Sequence, residues 1–144
     1  MFIGEYNHTL DDKNRLSLPA KFRSDLGKKI IITRGLDRCL SVYTALEWKK
    51  FTAKLSELSF GQSDSRAFQR FILGGAVEVE FDKSGRILIP EFLKTFAGLS
   101  DRVFVTGAGN RVELWNETAW TTYADRIAGQ ADQLAEKLGE IGMV

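Results

Sequence analysis

The sequence contains only one cysteine, Cys39, and one histidine, His8, in 144 residues. A single cysteine cannot form an internal disulfide, which favours a reducing compartment such as the cytoplasm. A zinc finger or zinc ribbon needs about four Cys or His ligands, so this sequence excludes both. Cys39 lies in the apolar run CLSVY, where we expect a buried and unreactive thiol rather than a catalytic nucleophile.

Long apolar runs and phosphate-binding motifs are also missing. No run of about 18 apolar residues occurs, so we expect no membrane span. The start, MFIGEYNHTL, lacks the basic and apolar regions of a secretion signal. There is neither a Walker loop nor a strand–GxGxxG–helix unit. We therefore expect no cofactor, no metal and no small-molecule substrate, in a chain whose length corresponds to about one domain.

The net charge of +1 conceals an asymmetry between the two halves of the chain. Residues 1–72 carry 13 Lys and Arg against 8 Asp and Glu, a balance of +5. Residues 73–144 carry 7 against 11, a balance of −4. The basic half can form an anion-binding face or an ordinary solvated surface, and charge alone favours the solvated surface.

An unusual phrase occurs twice: DDKNRLSLP at 11–19 returns as DKSGRILIP at 82–90. An offset of 71 residues aligns Asp11 with Asp82, Arg15 with Arg86 and Pro19 with Pro90. Further along, one inserted residue moves the offset to 72, which aligns Thr33 with Val105 and Tyr43 with Trp115. Because the register persists for about 50 residues in each half, the sequence predicts a tandem duplication.

Each copy of the phrase is predicted to turn a β-hairpin. An aspartate at the first position of a type I turn accepts hydrogen bonds from backbone amides further along. Such a turn often ends in a residue with positive φ, which favours Gly or Asn. We therefore expect a structural turn motif formed by Asp11 and Asn14 in one copy and by Asp82 and Gly85 in the other. The arginine that follows is either an ion-pair partner of the aspartate or a group presented to a ligand.

The residues around the hairpins predict short strands and flanking helices. Capping patterns place helix starts at Thr44 and Asn116, and SDSRAFQRFIL reads as a connecting helix. Apolar residues at roughly heptad spacing near the C-terminus suggest a contact with another subunit. The predicted divisions are a first repeat at 5–47, connecting helices at 48–75, a second repeat at 76–119 and C-terminal helices at 120–144.

A unit of about 45 residues buries too little surface to fold alone. We therefore expect the two copies to interleave their strands into one small β-barrel with an internal pseudo-twofold axis. The predicted class is α+β, with helices flanking the barrel. This arrangement would bring the two arginine-bearing hairpins close enough to act together.

The pattern D-x-x-G/N-R followed by apolar-x-apolar-Pro resembles the motif of AbrB-like swapped-hairpin DNA-binding proteins. Two tandem copies on one chain resemble the MraZ family, and the resemblance extends from MFIGEY to ELWNETAW. It implies a cytoplasmic, nucleoid-associated regulator of transcription, typically a repressor, of the bacterial division and cell-wall gene cluster. It also implies sequence-specific binding to double-stranded DNA by ring-shaped homo-oligomers, which engage direct repeats in the promoter.

The resemblance further implies that the two arginines of the motif contact DNA. Arginine can bond two acceptors on guanine in the major groove, and neighbouring lysines can hold phosphates. The predicted DNA-binding residues are Lys13, Arg15, Lys21, Arg23 and Arg86. Basic residues surround Arg15 in the sequence, whereas three glutamates lie near Arg86, so we expect Arg15 to be the principal contact and Arg86 the weaker one.

Two other functional classes remain open. An enzyme could use Asp11 and Asp82 as a carboxylate pair, although the turns explain both residues better, and we expect no catalytic residues. A non-enzymatic protein-interaction module of antitoxin-like type is more credible, because a fold does not determine a function. A salt-sensitive shift of the protein's own promoter fragment would distinguish a regulator from such a module.

Overall fold

The computed structural model describes residues 1–143, which form eight strands and five helices in a mixed α/β architecture. The strands are β1 (Glu5–Thr9), β2 (Arg15–Ser17), β3 (Lys29–Arg34), β4 (Leu40–Thr44), β5 (Val77–Glu80), β6 (Arg86–Leu88), β7 (Arg102–Gly107) and β8 (Val112–Asn116). The helices are α1 (Ala20–Leu26), α2 (Ala45–Ser56), α3 (Ser63–Gly74), α4 (Glu91–Ala97) and α5 (Glu117–Glu140). No helix in this part of the chain is long and apolar enough to cross a membrane.

The order of the six-stranded sheet reflects the duplication. Its strands run β1–β7–β8–β4–β3–β5, so each edge strand pairs with a strand of the other repeat. At the centre, Ser41 of β4 pairs with Glu113 of β8, its equivalent at offset 72. In a separate two-stranded ribbon, Leu16 of β2 pairs with Ile87 of β6, its equivalent at offset 71. Since both pairs join equivalent positions, the predicted pseudo-twofold axis passes between the members of each.

The sheet is open, so the prediction of a closed β-barrel was wrong. Within residues 1–143, β1 pairs only with β7 and β5 pairs only with β3. The hairpin strands β2 and β6 have three residues each and pair with one another instead of extending the large sheet. One isolated bridge, between Leu10 and Leu16, is the link from β2 back to the end of β1. The ribbon therefore forms a separate layer.

The hydrophobic core lies between one face of the six-stranded sheet and the layer formed by the ribbon, α1 and α4. Alternation along each strand directs every second side chain into this layer. Its most completely buried large residues are Leu16, Leu18, Phe22, Ile30, Ile32, Leu40, Ile87, Ile89, Leu93 and Leu114. Because Leu16 and Ile87 point inward, the other residues of the ribbon must point away from the core.

Helices α2 and α5 cover the opposite face of the sheet in equivalent ways. The Tyr43 ring stacks on Phe51 of α2 with ring centroids 5.5 Å apart, and Trp115 packs on Tyr123 of α5 at 5.0 Å. The predicted N-caps are confirmed, since the Thr44 hydroxyl accepts from the amide of residue 47 and the Asn116 side chain from that of residue 119. The predicted connecting helix is confirmed as α3.

Candidate nucleic-acid interface

Two nearly identical turns lie at the ends of the ribbon. In the first, Asp11 Oδ1 accepts from the amides of Lys13 and Arg15, at 2.9 and 2.8 Å. In the second, the corresponding oxygen of Asp82 accepts from the amides of residues 84 and 86, at 2.8 and 2.9 Å. The turns end in Asn14, with φ of 61°, and Gly85, with φ of 76°. Both residues occupy the left-handed region, which Asn and Gly tolerate best.

Each turn holds its arginine through the second carboxylate oxygen of the aspartate. Asp11 Oδ2 lies 2.7 Å from Arg15 Nε, and Asp82 Oδ2 lies 2.9 Å from Arg86 Nε. Asp11 Oδ2 is also 3.9 Å from Nη1 of Arg86, so the two guanidinium groups converge on one carboxylate. The arginine side chains are 33% and 31% exposed. The ion pairs therefore orient both groups without removing them from solvent.

The backbone amides keep both aspartates ionised. The pKa of Asp11 is lowered, chiefly by the amide of Arg15, against an opposing effect of burial. The pKa of Asp82 is lowered in the same way by the amide of Arg86. A general acid needs the opposite shift, so the carboxylate-pair enzyme gains no support from this geometry. No cluster of three potential metal ligands occurs among the described residues.

The ribbon presents both arginines on one face. Directly opposite residues of an antiparallel pair share a face, and Leu16 and Ile87 point into the core. The outward face therefore carries the remaining four residues of the two strands, which are Arg15, Ser17, Arg86 and Leu88. Arg15 lies opposite Leu88, and Ser17 lies opposite Arg86. Each arginine thus has a cross-strand neighbour from the other repeat.

Basic residues of α1 and α4 lie against the turns of the opposite repeat. Arg23 of α1 donates to the carbonyl of Leu18 at 3.1 Å and lies against Gly85, where a Cβ would be 2.7 Å from its Nη1. Lys94 of α4 donates to Asn14 Oδ1 at 2.9 Å. Arg23 and Lys94 are equivalent at offset 71, so the duplication produced two related cross-repeat contacts.

This exchange changes part of the charge asymmetry inferred from sequence neighbours. Arg23, expected beside Arg15, lies at the second turn, whereas Glu91, expected beside Arg86, accepts from Asn14 Nδ2 of the first turn at 2.8 Å. Lys13, by contrast, remains in the first turn. The swapped hairpins therefore bring one basic residue to the second turn and one acidic residue to the first, and the ranking of Arg15 above Arg86 stays a prediction.

The remaining predicted residues lie at the surface around the ribbon. Lys13 is exposed in the first turn, and Lys21 is exposed on α1. Sequence reasoning missed Lys94, although its alignment with Arg23 was a usable signal. No sequence pattern assigned a role to Leu88. Cys39 is buried as expected, its thiol donates to a backbone carbonyl at 3.2 Å, and burial raises its pKa.

Comparisons with known proteins all indicate similarity to one family. The sequence profile of the family described as "MraZ protein, putative antitoxin-like" matches the chain twice, at residues 1–71 and 72–139. A protein named "Transcriptional regulator MraZ" from Oenococcus oeni is 48% identical over 143 residues, covering 99% of this chain and 100% of the relative. Proteins of the same name from Acetivibrio thermocellus and Moorella thermoacetica are 47% and 48% identical. The first match covers 99% of this chain and 100% of the relative, and the second covers 96% of each.

Proposed function

The chain belongs to the MraZ family, and we propose that it is a sequence-specific DNA-binding transcriptional regulator whose β2–β6 ribbon and turns contact duplex DNA. The proposal rests on the convergence of two guanidinium groups, one from each repeat, on the outward face of a narrow ribbon. The names of its relatives add independent support, because each is called a transcriptional regulator.

The dimensions of the ribbon suit the major groove. That groove is about 12 Å wide and admits a two-stranded β-ribbon, whose strands lie about 4.8 Å apart. The aspartates hold Arg15 and Arg86 through Nε, which leaves Nη groups available to a ligand, although Nη1 of Arg86 also lies 3.9 Å from Asp11 Oδ2. A guanidinium that bonds O6 and N7 of guanine contributes about 1–3 kcal/mol of base discrimination. Holding it in place beforehand reduces the entropy lost on binding.

Phosphate contacts would come from the basic residues around the ribbon. Lys13 and Lys21 are exposed and suit this role. Lys94 also bonds the first turn and Arg23 lies against the second, so we assign them a positioning role in addition to any phosphate contact. Four phosphate contacts predict a loss of affinity of about 150-fold between 50 and 200 mM salt. Strong salt dependence is thus an expected property of the complex.

We further propose a ring-shaped homo-oligomer that engages direct repeats in the promoter. One ribbon makes few contacts and should bind weakly, whereas linked ribbons gain a factor of about 10²–10⁴ through effective concentration. A head-to-tail interface that closes produces such a ring. The exposed side chains of Leu138 and Ile141 near the end of α5 offer an apolar surface for a neighbouring subunit.

Several finer assignments belong to the same proposal. We propose AbrB-like repeats at 5–47 and 76–119, joined by a connecting segment at 48–75 and followed by a C-terminal segment at 120–144. We propose that the regulated genes are those of the division and cell-wall cluster, and that the protein acts as a repressor in the nucleoid. An antitoxin-like interaction module is the second candidate, because the family description contains that term.

A binding experiment with matched variants tests the main proposal. The ligand is a fluorescent duplex from upstream of the protein's own gene, compared with a scrambled duplex of the same length. We expect Arg15→Ala and Arg86→Ala each to weaken specific binding at least tenfold, with an unchanged unfolding temperature. The control is Arg70→Ala, which removes an exposed arginine of α3.

The outcomes separate the two candidate functions. Preferential binding of the upstream duplex, with salt sensitivity and loss in both ribbon variants, supports the regulator. Equal binding of the two duplexes, or ribbon variants that bind as the Arg70→Ala control does, would overturn it. In that case the antitoxin-like module would become the better explanation. A smaller loss for Arg86→Ala than for Arg15→Ala would support the ranking expected from the sequence, and losses of equal size would contradict it.

A further inference from the structure

The outward face of the ribbon carries one asymmetry. At offset 71, Ser17 of the first repeat is equivalent to Leu88 of the second. Because the strands are swapped, Leu88 lies directly opposite Arg15, and Ser17 lies directly opposite Arg86. One guanidinium therefore has an apolar neighbour, while the other has a hydroxyl. The two halves of the ribbon present different chemistry to anything that contacts both.

Leu88 is an exposed apolar residue of this face. It is 57% exposed, whereas the residues on either side of it, Ile87 and Ile89, are buried. A single exposed leucine is ordinary on a protein surface. This one lies on a face with two convergent arginines, where a polyanion would be attracted by charge. Anything bound by the arginines would cover Leu88 as well.

We infer that Leu88 contacts the methyl group of a thymine in the base pair next to the guanine bound by Arg15. This inference rests on the proposed function and specifies how one half of the site reads sequence. The thymine methyl is the one apolar group that the major groove presents. Opposite residues of a strand pair have Cβ atoms about 4.5–5.5 Å apart, whereas successive bases lie about 3.4 Å apart. Leu88 therefore reaches a neighbouring base pair.

The chemistry of the other bases excludes them from this position. A leucine against the amino group of cytosine or adenine would remove water from a donor and supply no acceptor, and against O6 or N7 of guanine it would supply no donor. Ser17 is under the opposite constraint, because its hydroxyl can donate or accept and suits a polar base edge beside Arg86. The base pair next to the guanine bound by Arg15 should therefore prefer thymine, and the base pair next to the guanine bound by Arg86 should not.

The expected effect is small and measurable. One buried methyl group changes affinity about fourfold, from about 0.8 kcal/mol per buried methylene at about 1.4 kcal/mol per factor of ten. The preferred duplex is first selected from a random library by the full-length protein. Each thymine of that duplex is then replaced, one at a time, by uracil, which lacks only the methyl group. Affinities are measured at fixed salt for wild type and for variants.

Three variants make the test specific. Leu88→Ser copies the serine of the other half and should abolish the uracil effect while retaining binding. Ser17→Leu, used in a library selection of its own, should select a thymine beside the guanine bound by Arg86 and make that position sensitive to uracil. Leu36→Ser makes the same chemical change as Leu88→Ser at an exposed site in the β3–β4 loop, and it should behave as wild type.

Each outcome decides between the possibilities. A single uracil position that costs wild type about fourfold and costs Leu88→Ser nothing supports the inference. A selected sequence whose uracil substitutions never matter overturns it and leaves the proposed function intact. Leu88→Ser that keeps the full uracil effect also overturns it. A library that yields no preferred sequence would overturn the proposed function itself.

Discussion

Substitution of Gly85 by alanine tests whether the second turn and its contact with α1 stabilise the fold as the geometry indicates. Gly85 has φ of 76°, a conformation that costs a residue with a Cβ about 1–2 kcal/mol. The new Cβ would also lie 2.7 Å from Nη1 of Arg23. The guanidinium must then move, and its hydrogen bond to the carbonyl of Leu18 is lost or weakened.

The magnitude of the effect follows from these two contributions. A hydrogen bond of this kind contributes about 0.5–1.5 kcal/mol net. Added to the backbone cost, this predicts a decrease of about 1.5–3.5 kcal/mol in the free energy of unfolding. For a chain of 144 residues, at about 3–4 °C per kcal/mol, the unfolding temperature should fall by about 5–14 °C.

Urea and thermal unfolding followed by circular dichroism measure this change. The matched control is Gly74→Ala at the end of α3, where a Cβ would meet no atom within 4 Å. Alanine favours helix over glycine, so we expect that control to unfold at or above the wild-type temperature. If Gly85→Ala and Gly74→Ala unfolded at the same temperature, the reasoning from this turn would be refuted.

A second comparison separates the two contributions. Asparagine tolerates the left-handed region, so Gly85→Asn should avoid most of the backbone cost. Its Cβ should still collide with the Arg23 guanidinium, so only the cost of that collision remains. A double-mutant cycle with Arg23→Lys isolates the contact itself, because lysine lacks the atom nearest the new Cβ. We expect Gly85→Ala to be less destabilising in that background. An identical cost in both backgrounds would show that the backbone alone is responsible.

Two further changes should alter stability in defined ways. Thr33→Val should reduce the free energy of unfolding by about 1–3 kcal/mol in urea titrations, because the buried hydroxyl donates to the carbonyl of Ile72 at 2.6 Å; the exposed change Thr121→Val should have little effect, and equal losses would contradict this. The pKa values of Asp11 and Asp82 are lowered from 3.8, so they stabilise the fold above that pH and lose the effect as pH falls through the lowered values. Replacing both by asparagine should therefore flatten the decline of stability below pH 4, and an unchanged acid profile would argue against it.

Local features of this fold could be predicted because their causes are local. Asp11 and Asn14 form their turn through hydrogen bonds within five residues of chain. Thr44 and Asn116 cap helices through amides three residues away. In each case the residues that determine the geometry are neighbours in the sequence. The duplication extended these local predictions, since each copy supported the other.

Features that depend on distant strands could not be predicted in the same way. The prediction of a closed barrel failed because no short-range sequence pattern indicates whether β2 continues the main sheet or pairs with β6. The alignment of Thr33 with Val105 was also wrong, because strand pairing makes Ile31 equivalent to Phe104 and therefore Thr33 to Thr106. Relative to the first repeat, the second has two additional residues before β7, which raise the offset from 71 to 73. The β7–β8 loop is one residue shorter than the β3–β4 loop, which lowers the offset to 72. The lengths of the loops determine such shifts in the alignment of the repeats, and the spacing of apolar residues does not reveal them.

The swap of the hairpins also explains why the two turns end in different residues. The first turn has asparagine, whose side chain donates to Glu91 and accepts from Lys94. The second has glycine, because a side chain there would occupy the space of the Arg23 guanidinium. A lysine ammonium is compact and leaves room for an amide, whereas a planar guanidinium lies flat against a residue without a Cβ. Each turn residue is therefore matched to the basic residue of the opposite repeat.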